Sequence, residues 1–117
     1  MDSMKIGRKG ENVACEHLKK NGYKILKRNY KKKYGEIDII AQKGDLISFI
    51  EVKTRNGTEY GLACEAVTKS KQEKIIRTAQ IFIIENKINE TYSFDIIEIY
   101  HLDGKIQKIE HIENAFS

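Results

Sequence analysis

The sequence predicts a single α/β domain spanning residues 1–117, a mixed sheet flanked by helices in the order αβββαββ. Three observations predict it. Apolar residues recur at helical spacing in two segments, about Ile6 to Asn21 and about Thr68 to Asn86. Short runs rich in Ile, Phe and Tyr lie between and after those segments, as strands require. Tight-turn signals at Gly44-Asp45 and Asp103-Gly104 fold four of these runs into two hairpins. A chain of 117 residues, 40% hydrophobic and 32% charged, suits one soluble domain with a modest core.

The first helix ends at Gly22, a suitable residue just past a helix C-terminus. Its wheel gathers Gly7, Glu11, Ala14, Cys15 and Leu18 into one stripe facing the sheet, with Val13 on the opposite face. Strands follow near Tyr23 to Asn29, Ile37 to Gln42 and Leu46 to Thr54. Asn56 to Glu65, with Gly57 and Gly61, reads as a loop near the active edge. The second helix places Lys71, Gln72, Ile75, Ala79, Phe82 and Ile83 on or near one stripe. Ile81, Ile84 and Ile88 occupy its other side, and either lie under the C-terminal strands or form a homodimer surface. Strands Tyr92 to His101 and Lys105 to Ile112 complete the sheet.

The central hairpin carries charge where an apolar pattern is expected. With the turn at Gly44-Asp45, Lys43 opposes Leu46, and stepping back along both strands sets Asp38 opposite Glu51. Like charges about 5 Å apart repel by roughly 3 kcal/mol at an effective dielectric near 20. Two converging carboxylates are what a hard divalent ion needs, since Mg²⁺ typically takes one or two of them and fills its remaining places with water and phosphate oxygens. Glu51, Lys53 and Arg55 alternate onto that same face. Asp38 followed, after twelve residues, by Glu51-Val52-Lys53 is therefore the layout of a metal-dependent phosphodiesterase, with an ammonium beside the nucleophile or the charged phosphate. The plainer reading is that Lys53 neutralises the two acids on a solvated sheet face.

The charge distribution adds a partner. The first half, to Tyr60, holds fourteen Lys and Arg against eight acids, although the whole chain is only +4. Between His17 and Gly35 lie Lys19, Lys20, Lys24, Lys27, Arg28, Lys31, Lys32 and Lys33 with no acid, interleaved with Tyr23, Tyr30 and Tyr34. Such a stripe fits a phosphate backbone, and its tyrosines fit unpaired bases; otherwise it is a solvated, lysine-rich surface. Lys71 either reaches the carboxylates or lays its stem over the sheet as an ordinary snorkelling lysine.

Other chemistries find little support. Cys15 and Cys64 have no CxxC or His-rich context and read as reduced, small apolar residues. His17, His101 and His111 lack metal-ligand spacing and read as surface residues. Asp95, in an apolar strand, is expected to satisfy a neighbouring cation. No phosphate-binding glycine loop, nucleophile elbow or dinucleotide fingerprint occurs, so no organic cofactor is expected. No apolar run approaches the ~20 residues of a membrane span, and no signal-peptide core opens the chain, so a cytoplasmic protein with no membrane partner is expected.

Gly7-Arg8-Lys9-Gly10-Glu11, Gly22-Tyr23-Lys24-Ile25-Leu26 with Arg28-Asn29, Gly35-Glu36-Ile37-Asp38, Glu51-Val52-Lys53-Thr54-Arg55, Tyr60-Gly61, Lys71 and Phe94-Asp95 together resemble the YraN-like family of small bacterial proteins. That family is similar to PD-(D/E)XK nucleases and archaeal Holliday-junction resolvases. The resemblance implies a restriction-endonuclease-like core with Asp38, Glu51 and Lys53 at the motif positions and Glu11 as the first-helix carboxylate. Ile37 stands where the superfamily's name has Pro. Glu11 then serves as an auxiliary metal or water ligand, or else as a first-turn acid that complements the helix dipole. The expected activity is Mg²⁺-dependent (or Mn²⁺-dependent) endonucleolytic hydrolysis of DNA, including structured or branched DNA. Asp38, Glu51 and the Val52 carbonyl would bind the ion, with Glu11 helping directly or through water. Lys31, Lys32, Lys33, Arg55 and Lys71 would contact the nucleic acid. The alternatives are a non-catalytic nucleic-acid-binding module, a docking protein, or a subunit of a DNA-processing complex.

Overall fold

The computed structural model describes residues 3–56 and 67–117. Its elements run α1 (Ser3–Lys20), β1 (Lys24–Lys32), β2 (Gly35–Lys43), β3 (Leu46–Asn56), α2 (Lys69–Glu85), β4 (Thr91–Leu102) and β5 (Lys105–Phe116), the expected order. The five strands form one sheet in sequence order. All neighbours are antiparallel except β3 and β4, which run parallel. Parallel neighbours need a crossover, and α2 supplies it. The segment expected as a loop from Asn56 to Glu65, with Tyr60, Gly61 and Cys64, lies outside the described residues apart from Asn56 at the end of β3.

Each helix covers one face of the sheet. On the α2 side Ile75, Ala79 and Phe82 pack with Ile40, Ile47, Phe49, Phe94 and Ile96. On the α1 side Ala14, Cys15 and Leu18 pack with Ile39, Ala41, Ile50, Ile97 and Ile99. The neighbours Ile39 and Ile40, and likewise Ile96 and Ile97, thus serve opposite cores, as strand alternation requires. β3 and β4 are buried on both faces at their centres, which is why they read as nearly continuous apolar runs.

Two glycines set the position of α1. Gly22, at φ 88°, ends the helix in the left-handed region, and the Tyr23 N–H turns back to Leu18 O at 3.0 Å. Gly10 lets the helix approach β3: a Cβ there would stand 2.4 Å from Thr54 Cγ2. Val13, expected on the solvent side, is partly buried against the α1-side core, because it lies one turn beyond this point of closest approach.

Long-range partners lengthen several strands beyond their sequence-based limits. β1 continues through Tyr30, Lys31 and Lys32 because these pair with Ile37, Glu36 and Gly35. β5 reaches Phe116, which pairs with Phe94 and stacks on its ring at 5.4 Å. Thr68 caps α2, its side chain accepting the Lys71 N–H at 3.2 Å, worth about 1 kcal/mol. The three isoleucines on the far side of α2 part company. Ile88 packs against the core, whereas Ile84 is 76% exposed.

Candidate active site

The Gly44-Asp45 turn sets the expected register, and β2 and β3 pair from Lys43–Leu46 to Ile39–Ile50. One step further the ladder opens. The Asp38 carboxylate turns into the gap, and its Oδ2 accepts the Val52 N–H at 2.8 Å. A side-chain oxygen thus takes the place of a main-chain acceptor, and Asp38 and Glu51 meet where the two strands fork.

Glu51 is 6% exposed, and its Oε1 lies 2.7 Å from Lys71 Nζ. Asp38, Glu51, Gly35, Ser70, Lys71 and Lys74 help to line a cleft of ≈ 400 Å³ between the fork and the start of α2. Burial, reinforced by the Glu51 charge, pushes the Asp38 carboxyl from its ordinary 3.8 up to about 7; the Val52 N–H opposes the shift, and Glu11 adds to it. Lys53 sits close by. Burial lowers its ammonium pKa, the Lys71 ammonium lowers it further, and the two acids only partly compensate. Burial would lower Lys71 as well, but its hydrogen bond and charge contact with Glu51 outweigh that, and its net shift is upward.

The remaining predicted residues divide into near and far. Glu11 stands behind the pair, 3.8 Å from Arg28 Nη2 and near enough to influence Asp38. Arg55 shares the Glu51 face, and its Nε donates to Glu98 Oε2 at 2.8 Å. Lys31, Lys32 and Lys33 lie at the β1–β2 turn rather than in the cleft. Lys32 is 3.4 Å from Glu85, and Lys33 lies over the Tyr34 ring.

Two acids gain significance from the fold. Glu98 is 1% exposed and opposes Lys53 across the β3–β4 pairing. Its Oε2 accepts both Arg55 and the Tyr100 hydroxyl, the latter at 2.6 Å, while Oε1 has no hydrogen-bond partner. An acid inside the apolar run Ile96 to Ile99 was the available signal, but only the strand pairing places it beside Lys53. Asp95, expected beside a cation, has His111 as its side-chain partner, whose Nε2 lies 2.7 Å from Asp95 Oδ2. His111 is therefore a partly buried partner of a buried acid and not a plain surface residue, because β5 folds back along β4.

The donor set suits a hard divalent ion. Asp38 and Glu51 offer anionic oxygens, each with one oxygen engaged by the protein, and the cleft has room for water and phosphate. Among the described residues no group of three or more His, Cys, Asp or Glu converges on one point, so Glu11 does not join Asp38 and Glu51 there as a third carboxylate.

These features define an α/β protein with a mixed five-stranded sheet between two helices and a carboxylate-lined cleft at a strand fork. Residues 10–99 match the model described as Uncharacterised protein family UPF0102, and the chain belongs to that family, which is the YraN family of the sequence resemblance. It is 46% identical to a UPF0102 protein of Clostridioides difficile strain 630, over 99% of this chain and 100% of that one. A relative from Clostridium tetani is 52% identical over 90% of each chain, and one from Alkaliphilus metalliredigens is 44% identical over 97% of this chain and 99% of its own. No helix among the described residues is long and apolar enough to cross a membrane.

Proposed function

We propose that the protein is a divalent-metal-dependent endonuclease that hydrolyses phosphodiester bonds in DNA, including structured or branched DNA. The observation that carries this reading is the meeting of partly buried Asp38 and buried Glu51 in one cleft with Lys53 and Lys71 beside them. The Glu51 charge adds to the cost of ionising Asp38, and a bound cation would remove that cost.

Asp38 and Glu51 would hold Mg²⁺ or Mn²⁺, with the Val52 carbonyl as a further ligand and Glu11 acting through water. The ion supplies Lewis-acid polarisation of the phosphate and an acidified water. The protein's own part is positioning and charge. The Val52 N–H fixes the Asp38 carboxylate, and Lys53 opposes the negative charge that develops on the phosphoryl oxygens. Lys71 releases Glu51 and turns to phosphate, and Arg55, held by Glu98, contacts the backbone further along. Lys31, Lys32 and Lys33 supply electrostatic attraction without reading sequence.

The test is a cleavage panel of labelled linear, single-stranded, flapped and four-way DNA, each with Mg²⁺, Mn²⁺ or EDTA. Cleavage that needs the metal and is lost in Asp38→Ala supports the reading. Salt-sensitive binding with no cleavage under any condition overturns the catalytic part and leaves a binding module. Replacing Lys31, Lys32 and Lys33 together by Gln should flatten the dependence of log K on log salt by up to about three phosphate contacts.

A further inference from the structure

The tyrosines interleaved in the basic stripe have quite different surroundings. Tyr23 is 7% exposed and donates its hydroxyl to Glu113 at 3.3 Å. Tyr30 lies edge-on to Phe82, its hydroxyl 2.6 Å from Glu85. Both are structural. Tyr34, at the β1–β2 turn, is 44% exposed, with Lys33 Nζ 5.8 Å and Arg77 Cζ 5.6 Å from its ring centre.

We infer that Tyr34, flanked by Lys33 and Arg77, is a stacking platform that receives an unpaired base of the nucleic acid entering the cleft. This rests on the nucleic-acid reading above and narrows the substrate class to strands with at least one unpaired base beside the cut. Position supports it. Gly35 and Glu36, the next two residues, line the cleft, and so does Lys74, three residues before Arg77 on α2. Tyr34 precedes Asp38 by four strand residues, roughly 13 Å along β2, a few nucleotides from the carboxylates.

Tyr92, 49% exposed, provides the contrast. It begins β4 at the opposite end of the sheet, packs against Phe49 and Phe94, and adjoins the small cleft lined by Asp45 and Glu90, where a phosphate backbone would be repelled. Tyr34 has cations for neighbours. Exposed cation–π contacts favour association by up to about fivefold, whereas stacking a base on an aromatic ring favours it from about fivefold to more than a hundredfold. A base therefore displaces one of the flanking cations, which stays close enough to meet the adjacent phosphate.

The experiment measures binding in EDTA, where no metal-dependent cut occurs, to a fluorescent single-stranded oligonucleotide and to the same sequence as a blunt duplex. Tyr34→Ala should weaken single-strand binding about tenfold or more and duplex binding less than twofold, with the salt slope unchanged because no charge is lost. Tyr34→Phe and Tyr34→Trp should keep wild-type affinity, since each retains a ring. An abasic position opposite the platform should reproduce the Tyr34→Ala loss in the wild-type protein. Unchanged single-strand binding in Tyr34→Ala, or an equal loss on both forms, overturns the platform while leaving nucleic-acid binding standing. Failure of the wild-type protein to bind either form at low salt overturns both.

Discussion

Two aspartates of one sheet, Asp95 buried and Asp38 partly buried, show how a candidate site differs from a scaffold. Asp95, fully buried in β4, has one partner for each oxygen: His111 Nε2 at 2.7 Å on Oδ2 and the Asn114 N–H at 3.1 Å on Oδ1. It sits where the β4–β5 register slips between Phe94 and Ile96, and it holds that irregularity together. Asp38 also bonds a main-chain N–H, but its nearest strong charge is another acid. Both carboxylates lie beside irregular strand pairing, Asp95 buried and Asp38 partly so. Asp95 has a hydrogen-bond partner on each oxygen and stabilises the fold; Asp38 keeps a raised pKa beside Glu51 even with the Lys71 ammonium nearby. A carboxyl whose pKa is raised by burial and a second acid, facing an open cleft, is the signature expected of a functional position.

The contrast breaks most sharply at the cleft acids. Asp38→Ala and Glu51→Ala should each abolish metal-dependent cleavage and lower Mn²⁺ affinity by calorimetry, while stability in EDTA at neutral pH holds or rises. The pH dependence gives the sign. Below 3.8 the Asp38 carboxyl is protonated whether the chain is folded or not. Between 3.8 and about 7 the folded protein retains a proton that the unfolded chain has released, so stability falls as pH rises, by up to about 1.4 kcal/mol per pH unit. Above about 7 the penalty is complete. Urea midpoints measured from pH 4 to 8 in EDTA should show this fall in the wild type and a flatter profile in Asp38→Asn. An equally steep fall in the variant would assign the burden to another group.

Lys53 sharpens the comparison next, because it has no counterpart around Asp95. If its ammonium answers charge that appears only in the transition state, Lys53→Ala should slow single-turnover cleavage by about 10²-fold and barely change binding to uncleaved DNA in Ca²⁺. Lost binding with an unaltered rate for bound substrate would make Lys53 a phosphate anchor instead.

Much of this was legible in the sequence, for identifiable reasons. The turn at Gly44-Asp45 is local, so it fixed the β2–β3 register and brought Asp38 to Glu51. Helical spacing placed Ile75, Ala79 and Phe82 in the core, and with them Lys71 one turn ahead. What stayed hidden depends on contacts distant in sequence. The partnership of Lys53 with Glu98 needs the parallel β3–β4 register, which no turn dictates. The Asp95–His111 pair needs β5 to fold back along β4 in a register shifted by one residue from the turn, and the opening of the ladder at Asp38 reflects a side chain competing with the main chain.

A smaller effect is expected on the scaffold side. Asp95→Ala leaves the Asn114 N–H and the His111 ring without their acceptor in a buried place, which should cost about 1–3 kcal/mol. The loss should be the same with Mg²⁺ and with EDTA, and metal affinity should not change. A metal-dependent loss in Asp95→Ala would erase the distinction between the two acids.

The smallest effect concerns the cation that the cleft carries itself. Lys71 Nζ occupies Glu51 Oε1 at 2.7 Å, so a divalent ion that takes this oxygen must first displace an ammonium whose pKa is raised by that contact. Lys71 is 42% exposed by side chain, so the ion pair is screened and its loss is mild. Lys71→Met keeps most of the stem that covers the sheet and removes the charge. It should therefore tighten Mn²⁺ binding a few-fold in the absence of nucleic acid. With DNA present the sign should reverse, because the displaced ammonium is then missing from the phosphate it would meet. Calorimetric titration of Mn²⁺ without DNA, set beside DNA binding in Ca²⁺, separates the two roles. Weaker Mn²⁺ binding in Lys71→Met would mean that the ammonium orients Glu51 for the ion and does not compete with it.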